Sequence, residues 1–272
     1  MAWTARVLTR SVSPRMHTQK IASCGRHPSS ELGDGFYYPF GKRVLDVVGA
    51  LLGLIISSPI LLLCGVAIWL ESPGVVLYRQ ERIGRHGRRF QIIKLRTMTA
   101  GADRHGSKIT ASGDPRITRV GQVLRHTKVD EIPQLLNVLR GEMSLVGPRP
   151  EVPEYVAMYT SAQRRVLELR PGLTSPASLA FLDEERVLGG APEKENFYRQ
   201  VVMPAKLNLD LAYCRSISLR GDLKLLLDTA GGTMRSTMNG TRSPNPPTIT
   251  CAASNGAPAL PQGSTAREGR ME

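Results

Sequence analysis

The chain has 272 residues, enough for one large domain or two small ones with a sizeable hydrophobic core. Its 36 Lys and Arg outnumber its 23 Asp and Glu, and the net charge of +13 favours a polyanionic partner: nucleic acid, an anionic membrane or a phosphorylated substrate. Aromatic residues make up only 5% of the chain, too few for a platform that stacks single-stranded bases, and no zinc-finger spacing is present. We therefore expect no nucleic-acid partner.

Two terminal segments differ in composition from the rest of the chain. Residues 1–41 contain several arginines and no acidic residue before Glu31, which favours a basic disordered tail over an organelle transit peptide. Residues 230–272 are rich in Pro, Gly, Ser, Thr and Ala, which predicts a second disordered tail. The four cysteines are widely separated and have no metal-ligand spacing, so we expect a reducing compartment.

An apolar segment opens the central part of the chain. It runs from Val44 to Leu70 and its single charged residue is Asp46. As a helix it would be about 40 Å long, sufficient for a hydrocarbon layer of about 30 Å. A tilted transmembrane helix is the simplest interpretation, and a buried helix of a soluble protein is a weaker one.

Two features of this segment argue against a single crossing. Ser58 and Pro59 stand at its midpoint, where proline removes a backbone donor and leaves carbonyls that a serine hydroxyl could satisfy in lipid. Both flanks are basic, so the positive-inside rule places both ends in the cytoplasm. We therefore predict an α+β protein, with a re-entrant membrane helix-break-helix hairpin at residues 42–72. A mostly helical cytoplasmic catalytic domain with a few short strands follows at 73–229.

Local patterns predict the elements of that domain. Two strands are expected around a turn at Gly84–Gly87, because β-branched and aromatic residues are bounded there by turn residues. Helical spacing of apolar residues predicts four helices. The predicted strands are residues 74–84 and 88–98, and the predicted helices are 119–128, 130–143, 155–170 and 196–213.

Asp130 and Glu131 are the first candidates for chemistry. Pro133 suits the first turn of a helix, so the two carboxylates are expected at or just before a helix N-terminus. Such a pair often does no more than cap the helix, as the macrodipole favours. The same position also attracts phosphate. The three acidic residues at 183–185 are expected to be a solvated charge run.

Basic residues near the acidic pair favour phosphate chemistry. Arg125 lies five residues before Asp130, and Arg149 stands between two prolines that would fix the direction of its guanidinium toward phosphate oxygens. Two adjacent carboxylates can bind a divalent cation and supply an oxygen nucleophile to phosphorus. The residues alone thus indicate phosphate chemistry at a membrane surface.

Several motifs together resemble the bacterial sugar transferase family, the monotopic polyprenyl-phosphate phosphoglycosyl transferases, in their minimal form. The resemblance covers about Lys42 to Leu227. It implies transfer of a sugar 1-phosphate from a nucleotide sugar, usually a UDP-sugar, to undecaprenyl phosphate, in two steps with Mg²⁺. This transfer would be the first membrane step in the synthesis of an exopolysaccharide or a related glycan. The motifs are KRVLDVVGALLGLIISSPILL, FQIIKLRTM, DPRITRVGQVLRHTKVDEIPQLLNVLRGEMSLVGPRPE, RPGLT and SISLRGDLKLLL.

Residue roles follow from the same motif match. Asp130 is implied to be the nucleophile that forms an aspartyl phosphosugar, and Glu131 completes the dyad. Both are implied metal ligands, and a role of Glu131 as a base is left open. The expected phosphate or substrate contacts are Lys94, Arg96, Arg125, Arg149 and Arg170.

The membrane placement also follows. Lys42 and Arg43 are expected at anionic lipid headgroups, and the protein at the bacterial inner membrane with its catalytic domain on the cytoplasmic face.

One departure from the family pattern concerns the donor sugar. Many members continue the RPG motif into a glycine and a tryptophan-alanine-glutamine run, whereas Thr174 here leads into SPASLAFLDEER, so the sugar is open. Two alternative functions remain. A glycosyltransferase that moves the sugar without its phosphate is weakened by the absence of a DxD motif and of a G-x-G-x-x-G. A membrane-anchored binding or scaffold protein would tolerate alanine at Asp130.

Overall fold

The computed structural model describes residues 37–102, 110, 114–182, 184–189 and 193–239. The predicted disordered tails lie largely outside these residues. Their predicted inner boundaries differ from the structure, since Tyr37 is already buried and the last helix continues to Asn239. The helices are α1 (Lys42–Glu71), α2 (Arg119–Thr127), α3 (Leu135–Arg140), α4 (Pro153–Ala157), α5 (Pro176–Ala180), α6 (Glu184–Gly189), α7 (Lys194–Phe197), α8 (Met203–Cys214) and α9 (Leu219–Asn239).

Within the residues that the structure describes, four short strands accompany the helices, as the predicted α+β class requires. Strand β1 (Leu77–Ile83) pairs antiparallel with β2 (Arg89–Leu95), which confirms the predicted hairpin. Strand β3 (Ser144–Val146) pairs parallel with β4 (Gly172–Thr174). Gly172 is required there, because a Cβ at this position would lie 2.1 Å from the backbone nitrogen of Gly147. This close approach explains the glycine of the RPGLT motif.

Helix α1 is anchored to the domain through its first half. Asp46 is buried and its Oδ1 accepts hydrogen bonds from the Ser144 hydroxyl (2.9 Å) and the Leu145 amide (2.8 Å). A Cβ on Gly49 would lie 2.6 Å from a Leu145 methyl carbon, so the missing side chain permits close packing on β3. The one charge of the apolar segment is therefore a structural contact.

Lys42 and Arg43, the basic pair that begins α1, both bind partners within the protein. Lys42 is buried in an ion pair with Asp222 of α9, and Asp222 also accepts hydrogen bonds from the hydroxyls of Tyr37 and Tyr213 (2.7 Å each). The Arg43 guanidinium donates to carbonyls at the end of α3 (2.7 and 3.0 Å). The expected placement of this pair at lipid headgroups was wrong, because the domain supplies the partners of both residues.

The second half of α1 contacts the same domain. Ile68 packs with Leu95 of β2 and Leu124 of α2 in a small apolar cluster. The Glu71 carboxylate accepts hydrogen bonds from the first amides of α2, those of Arg119 and Val120 (2.8 and 2.9 Å). Both ends of the helix are thereby fixed to one folded unit.

The opposite face of α1 is apolar and exposed. It carries Leu52, Ile56, Leu62, Leu63 and similar side chains. Among the described residues, α1 is the one helix long and apolar enough to cross a membrane. At 30 residues it is about 45 Å long.

The predicted break at Ser58–Pro59 is not confirmed, because α1 stays helical through Pro59. Proline has no amide hydrogen to donate to the carbonyl of Ile55, four residues earlier. The Ser58 hydroxyl donates to that carbonyl instead (2.8 Å), and the Ser57 hydroxyl donates to the carbonyl of Gly53 (2.6 Å). The expectation that serine hydroxyls satisfy freed carbonyls is confirmed, and it explains how the helix continues.

The remaining helices surround the main core. The prediction for residues 196–213 is confirmed by α7, a π-helical turn at Tyr198–Val202 and α8, which follow one another directly. The predicted helix at 155–170 was wrong. The chain forms the short α4 and then a 3-10 turn at Gln163–Glu168, with Tyr159 buried in the interruption. Val138, Met143, Val146, Val202 and Ile217 are the apolar centre.

Candidate active site

The acidic pair lies in a 3-10 turn at Val129–Gln134, between α2 and α3. The predicted helix at 130–143 was wrong in this part, because Pro133 lacks the amide that an α-helical bond to Val129 would need. Helix α3 begins only at Leu135 and has six residues. The expected attraction of phosphate to a helix N-terminus therefore does not apply. Any positive charge that attracts phosphate to this turn must come from side chains.

Glu131 is held by Arg149. The guanidinium donates to both carboxylate oxygens, at 2.5 Å from Nη2 to Oε1 and 3.3 Å from Nη1 to Oε2. The backbone amide of Arg149 donates to Asp210 (3.3 Å), and Asp210 also accepts from the amide of Ala177. The guanidinium fork that the flanking prolines predicted is present, and it binds the carboxylate of Glu131.

The environment of Glu131 keeps it ionised. Burial works to raise its pKa, but the charge of Arg149 and its hydrogen bonds, helped by Lys128 and Lys94, outweigh burial and lower the pKa to about 2. Glu131 is thus an anion at neutral pH. It is a poor proton acceptor for the same reason.

Asp130 has the opposite environment. It is 5% exposed, and its Oδ1 is buried with no hydrogen-bond partner among the described residues. Burial, and then the charge of Glu131, raise the pKa of Asp130 to about 6 against the opposing charges of Lys94, Lys128 and Arg125. The surrounding cations therefore do not give Asp130 a low pKa, because burial and the charge of Glu131 outweigh them. Buried carboxylate oxygens are normally paired, so this atom is available to a ligand.

Two of the predicted basic residues come from strand β2 and its end. The Lys94 ammonium lies 5.5 Å from the centre of the Tyr78 ring. Burial, and then the charge of Arg82, lower the pKa of Lys94 to about 8. Arg96 donates to the backbone carbonyl of Ser72 at the end of α1.

Arg125 projects from the last turn of α2. It forms an ion pair with Glu185, with Nε 3.0 Å from Oε1, and its Nη1 donates to the Thr97 hydroxyl (3.3 Å). A phosphate that approached this guanidinium would compete with a carboxylate already in place.

A cavity of about 1260 Å³ joins these side chains. Its lining includes Asp130, Glu131, Lys94, Arg96, Arg125 and Arg149. A further wall comes from β4, α5 and α9, where the hydroxyls of Thr174 and Thr229 are 2.7 Å apart. Arg170 is the one predicted site residue that does not line the cavity, and its Nε donates to the carbonyl of Gly141 (3.1 Å).

Sequence reasoning missed several charged residues of this cavity. Glu184 and Glu185 were expected to face solvent but line it, paired with Lys206 (3.0 Å) and Arg125. Glu151 lies beside them and accepts a hydrogen bond from the Tyr198 hydroxyl. Asp183, the third member of that acidic run, lies outside the described residues. No local sequence signal could have found Glu185, because Arg125 lies 60 residues away and only the tertiary fold brings the two together.

The residues present fit a magnesium ion that is held by few protein ligands, with water and substrate phosphates as the others. No group of three or more His, Cys, Asp or Glu side chains in the described part of the chain is arranged to hold a metal. Mg²⁺, however, is commonly bound through one or two carboxylates, water and substrate phosphates. The free Oδ1 of Asp130 suits such a site, whereas both oxygens of Glu131 are engaged by Arg149.

An unpaired buried carboxylate in a large cavity lined by basic side chains is typical of enzymes that act on phosphorylated substrates. Helix α1 packs against the turn that carries Asp130, and it is long and apolar enough to enter a membrane. The chain belongs to the bacterial sugar transferase family, whose model matches residues 37–236.

Curated relatives agree with this assignment. The chain is 45% identical over 199 residues to a UDP-glucose:undecaprenyl-phosphate glucose-1-phosphate transferase of Caulobacter vibrioides, covering 69% of this chain and 67% of that protein. It is 44% identical over 122 residues to a UDP-N-acetylgalactosamine-undecaprenyl-phosphate N-acetylgalactosaminephosphotransferase of Aeromonas hydrophila, covering 45% of this chain and 29% of that protein.

A third relative is an undecaprenyl-phosphate glucose phosphotransferase of Komagataeibacter xylinus, 38% identical over 195 residues. The match covers 69% of this chain and 35% of that protein, so the chain spans well under half the length of two of these relatives. The predicted family and the predicted enzyme class, a phosphoglycosyl transferase, are confirmed.

Proposed function

We propose that the protein transfers a sugar 1-phosphate from a UDP-sugar to undecaprenyl phosphate through a covalent intermediate on Asp130. The observation that carries this proposal is the buried, unpartnered Oδ1 of Asp130 in a cavity lined by cations. The relatives' names support the lipid acceptor and a nucleotide-sugar donor. Glucose and N-acetylgalactosamine are the donor sugars to test first.

The reaction has two displacements at phosphorus. In the first, an Asp130 oxygen bonds to the phosphorus that carries the sugar, the bond from that phosphorus to the bridging oxygen breaks, and UMP leaves with the electron pair. In the second, an oxygen of undecaprenyl phosphate bonds to the same phosphorus and the Asp130–phosphorus bond breaks. The products are undecaprenyl diphosphate sugar and a free Asp130 carboxylate.

The other residues of the site position charge. Arg149 keeps Glu131 ionised, and the negative charge of Glu131 raises the basicity of Asp130, which strengthens it as a nucleophile once it is ionised. Lys94 lies where it can contact the phosphates, and Arg125 can do so if Glu185 releases it. Magnesium, held by Asp130 Oδ1 and the donor diphosphate, would neutralise charge on the phosphates.

We also propose that α1 enters the membrane without crossing it. The helix contacts the domain at its start, through Lys42 and Asp222, and at its end, through Glu71 and Arg119. A domain confined to one side of the bilayer cannot hold both ends of a helix whose ends lie on opposite sides. The apolar outer face would then lie in the cytoplasmic leaflet of a bacterial inner membrane, with Ser58 and Pro59 at its deepest point and anionic lipid at its edges.

The covalent step is tested by mixing purified protein with UDP-glucose or UDP-N-acetylgalactosamine and Mg²⁺, without acceptor. We expect about one UMP per active enzyme and an adduct with the mass of a sugar phosphate on the peptide that contains Asp130. An adduct on another residue contradicts the assignment. Release of UMP that requires both substrates at once supports a direct displacement.

The topology is tested with single cysteines introduced before Lys42 and after Arg79, in a variant with its native cysteines replaced. A membrane-impermeant thiol reagent should label both positions from the cytoplasmic side of oriented vesicles. Labelling from opposite sides establishes a spanning helix.

A further inference from the structure

Lys128 has an unusual backbone conformation next to the acidic pair. Its φ is 57°, in the left-handed region that non-glycine residues seldom adopt. It ends α2, where its amide donates to the carbonyl of Arg125, and it directly precedes the turn that carries Asp130. Glycine is the usual residue for such a helix end, because it has no Cβ to be strained. A lysine at this place therefore needs another explanation.

The Lys128 side chain lines the cavity and has no hydrogen bond or ion pair with any residue that the structure describes. Most other cations that line the same cavity already have a protein partner. Arg149 binds Glu131, Arg125 binds Glu185, and Lys206 binds Glu184. Arg82 lies 3.5 Å from Glu151, Arg96 donates to Ser72, and Arg116 binds Asp114. Lys94, over the Tyr78 ring, is the nearest comparable case.

Charge near the nucleophile makes this free ammonium significant. Asp130 and Glu131 present two carboxylates to an incoming phosphate, which is itself anionic. The positive charges of Lys128 and Lys94 both act on this pair, lowering the pKa of each carboxylate. Three donors on one ammonium can reach phosphate oxygens without first breaking a protein ion pair.

We propose that Lys128 is a phosphate-binding residue of this site and that its strained conformation directs its side chain toward the reacting phosphate. This inference rests on the proposed function and extends it to a residue to which the motif match assigned no role. The bound group is a phosphate of the nucleotide sugar or that of undecaprenyl phosphate. The two-step reaction allows these sources to be separated.

Replacement by glycine separates strain from function. Lys128→Gly removes both the ammonium and the strained Cβ, so the variant should unfold at the same temperature as the parent or a higher one. Its kcat/KM for the phosphate substrate it contacts should fall about tenfold or more. Lys128→Asn, which also tolerates the left-handed region, should lose activity similarly, whereas Lys128→Arg should keep most of it.

His86 provides a matched control. It is the other non-glycine residue with positive φ among those described (56°), and it is exposed at the β1–β2 turn. His86→Gly should relieve comparable strain and leave the kinetics unchanged. A merely structural role for Lys128 would make the two glycine variants behave alike.

The measurement is UMP release from UDP-glucose or UDP-N-acetylgalactosamine, with and without undecaprenyl phosphate. A slower burst without acceptor assigns Lys128 to the donor. An unchanged burst with a raised KM for undecaprenyl phosphate assigns it to the acceptor. If the parent is active and Lys128→Gly keeps the parental kcat/KM for both, the inference is overturned. If the parent releases no UMP with any UDP-sugar, the proposed function itself fails.

Discussion

Two buried aspartates at different places in the molecule have contrasting surroundings. Asp222 is fully buried at the base of α1, and its two oxygens accept hydrogen bonds from Tyr37, Lys42 and Tyr213. Asp130 is nearly as buried, yet one of its oxygens has no partner in the described part of the chain. Both aspartates are shielded from water by folding, but only Asp222 has hydrogen-bond partners in the protein for both of its carboxylate oxygens.

The difference separates a structural from a reactive use of the same side chain. A carboxylate whose hydrogen bonds are complete stabilises the arrangement of its partners and offers nothing to a ligand. An incompletely paired one destabilises the folded state, and such groups concentrate at functional sites. Asp222 therefore joins α1 to α9, whereas Asp130 is available for chemistry.

The largest effect is expected for Asp130→Asn. The amide has the shape of the carboxylate but cannot ionise, so turnover should fall by about a thousandfold or more, which corresponds to ~4 kcal/mol in activation free energy. The folded-state pKa of Asp130 is raised, so the ionised group opposes folding above about pH 6. The variant should thus unfold at the parental temperature or above it in detergent. Near-parental turnover would contradict the proposed nucleophile.

Asp222→Asn should show the reverse pattern. Lys42 would stay buried without a counter-charge, and the amide group cannot accept from both Tyr37 and Tyr213. We expect a loss of about 3–5 kcal/mol in the free energy of unfolding, typical of a broken buried ion pair. Thermal unfolding at neutral pH measures this loss. The control is Glu195→Gln, which removes the carboxylate of an exposed i,i+4 ion pair with Arg199. Equal stability of the two variants would contradict the difference drawn here.

Arg149→Lys sharpens the comparison within the dyad. Lysine keeps the charge but cannot donate to both Glu131 oxygens from one plane. We expect turnover or donor binding to drop about tenfold, or ~1.4 kcal/mol. Arg89→Lys, which alters an exposed ion pair with Glu81, is the control and should have no kinetic effect. Parental kinetics in Arg149→Lys would mean that a point charge suffices.

The parts of this site that sequence could predict are those set by neighbours in the chain. The β1–β2 hairpin follows from local residue types, and the motif match selected the dyad and half of the cationic side chains that line the cavity among the described residues. The partners of those charges could not be predicted, because they lie far away in the chain. Lys42 and Asp222 are 180 residues apart, and Arg125 and Glu185 are 60 apart.

Two further features of the site differ from the prediction because they, too, depend on more than neighbouring residues in the chain. Arg149 binds Glu131 and not Asp130, so Glu131 is the carboxylate with the low pKa. Only the tertiary structure shows which of the two carboxylates Arg149 binds. The 3-10 turn at Asp130 depends on Pro133, whose position suited the first turn of an α-helix equally well.

The smallest effect, a change in pH dependence, tests the pKa values on which the comparison depends. The donor kcat/KM reports the ionisation of the free enzyme. It should rise as the pH increases through about 6, because Asp130 must lose its proton to act as a nucleophile. It should fall again above about pH 8, where Lys94 loses its charge and its attraction for phosphate.

Two variants assign the limbs of this profile. Glu131→Gln removes one of the charges that raise the pKa of Asp130, so the acidic limb should move to lower pH even if the maximum rate falls. Lys94→Arg should abolish the alkaline limb, because arginine keeps its charge throughout this range. An acidic limb that stays in place in Glu131→Gln would mean that another group controls it. The burial of Asp130 would then be structural, like that of Asp222, and its unpaired oxygen would have no part in the ionisation that controls the rate.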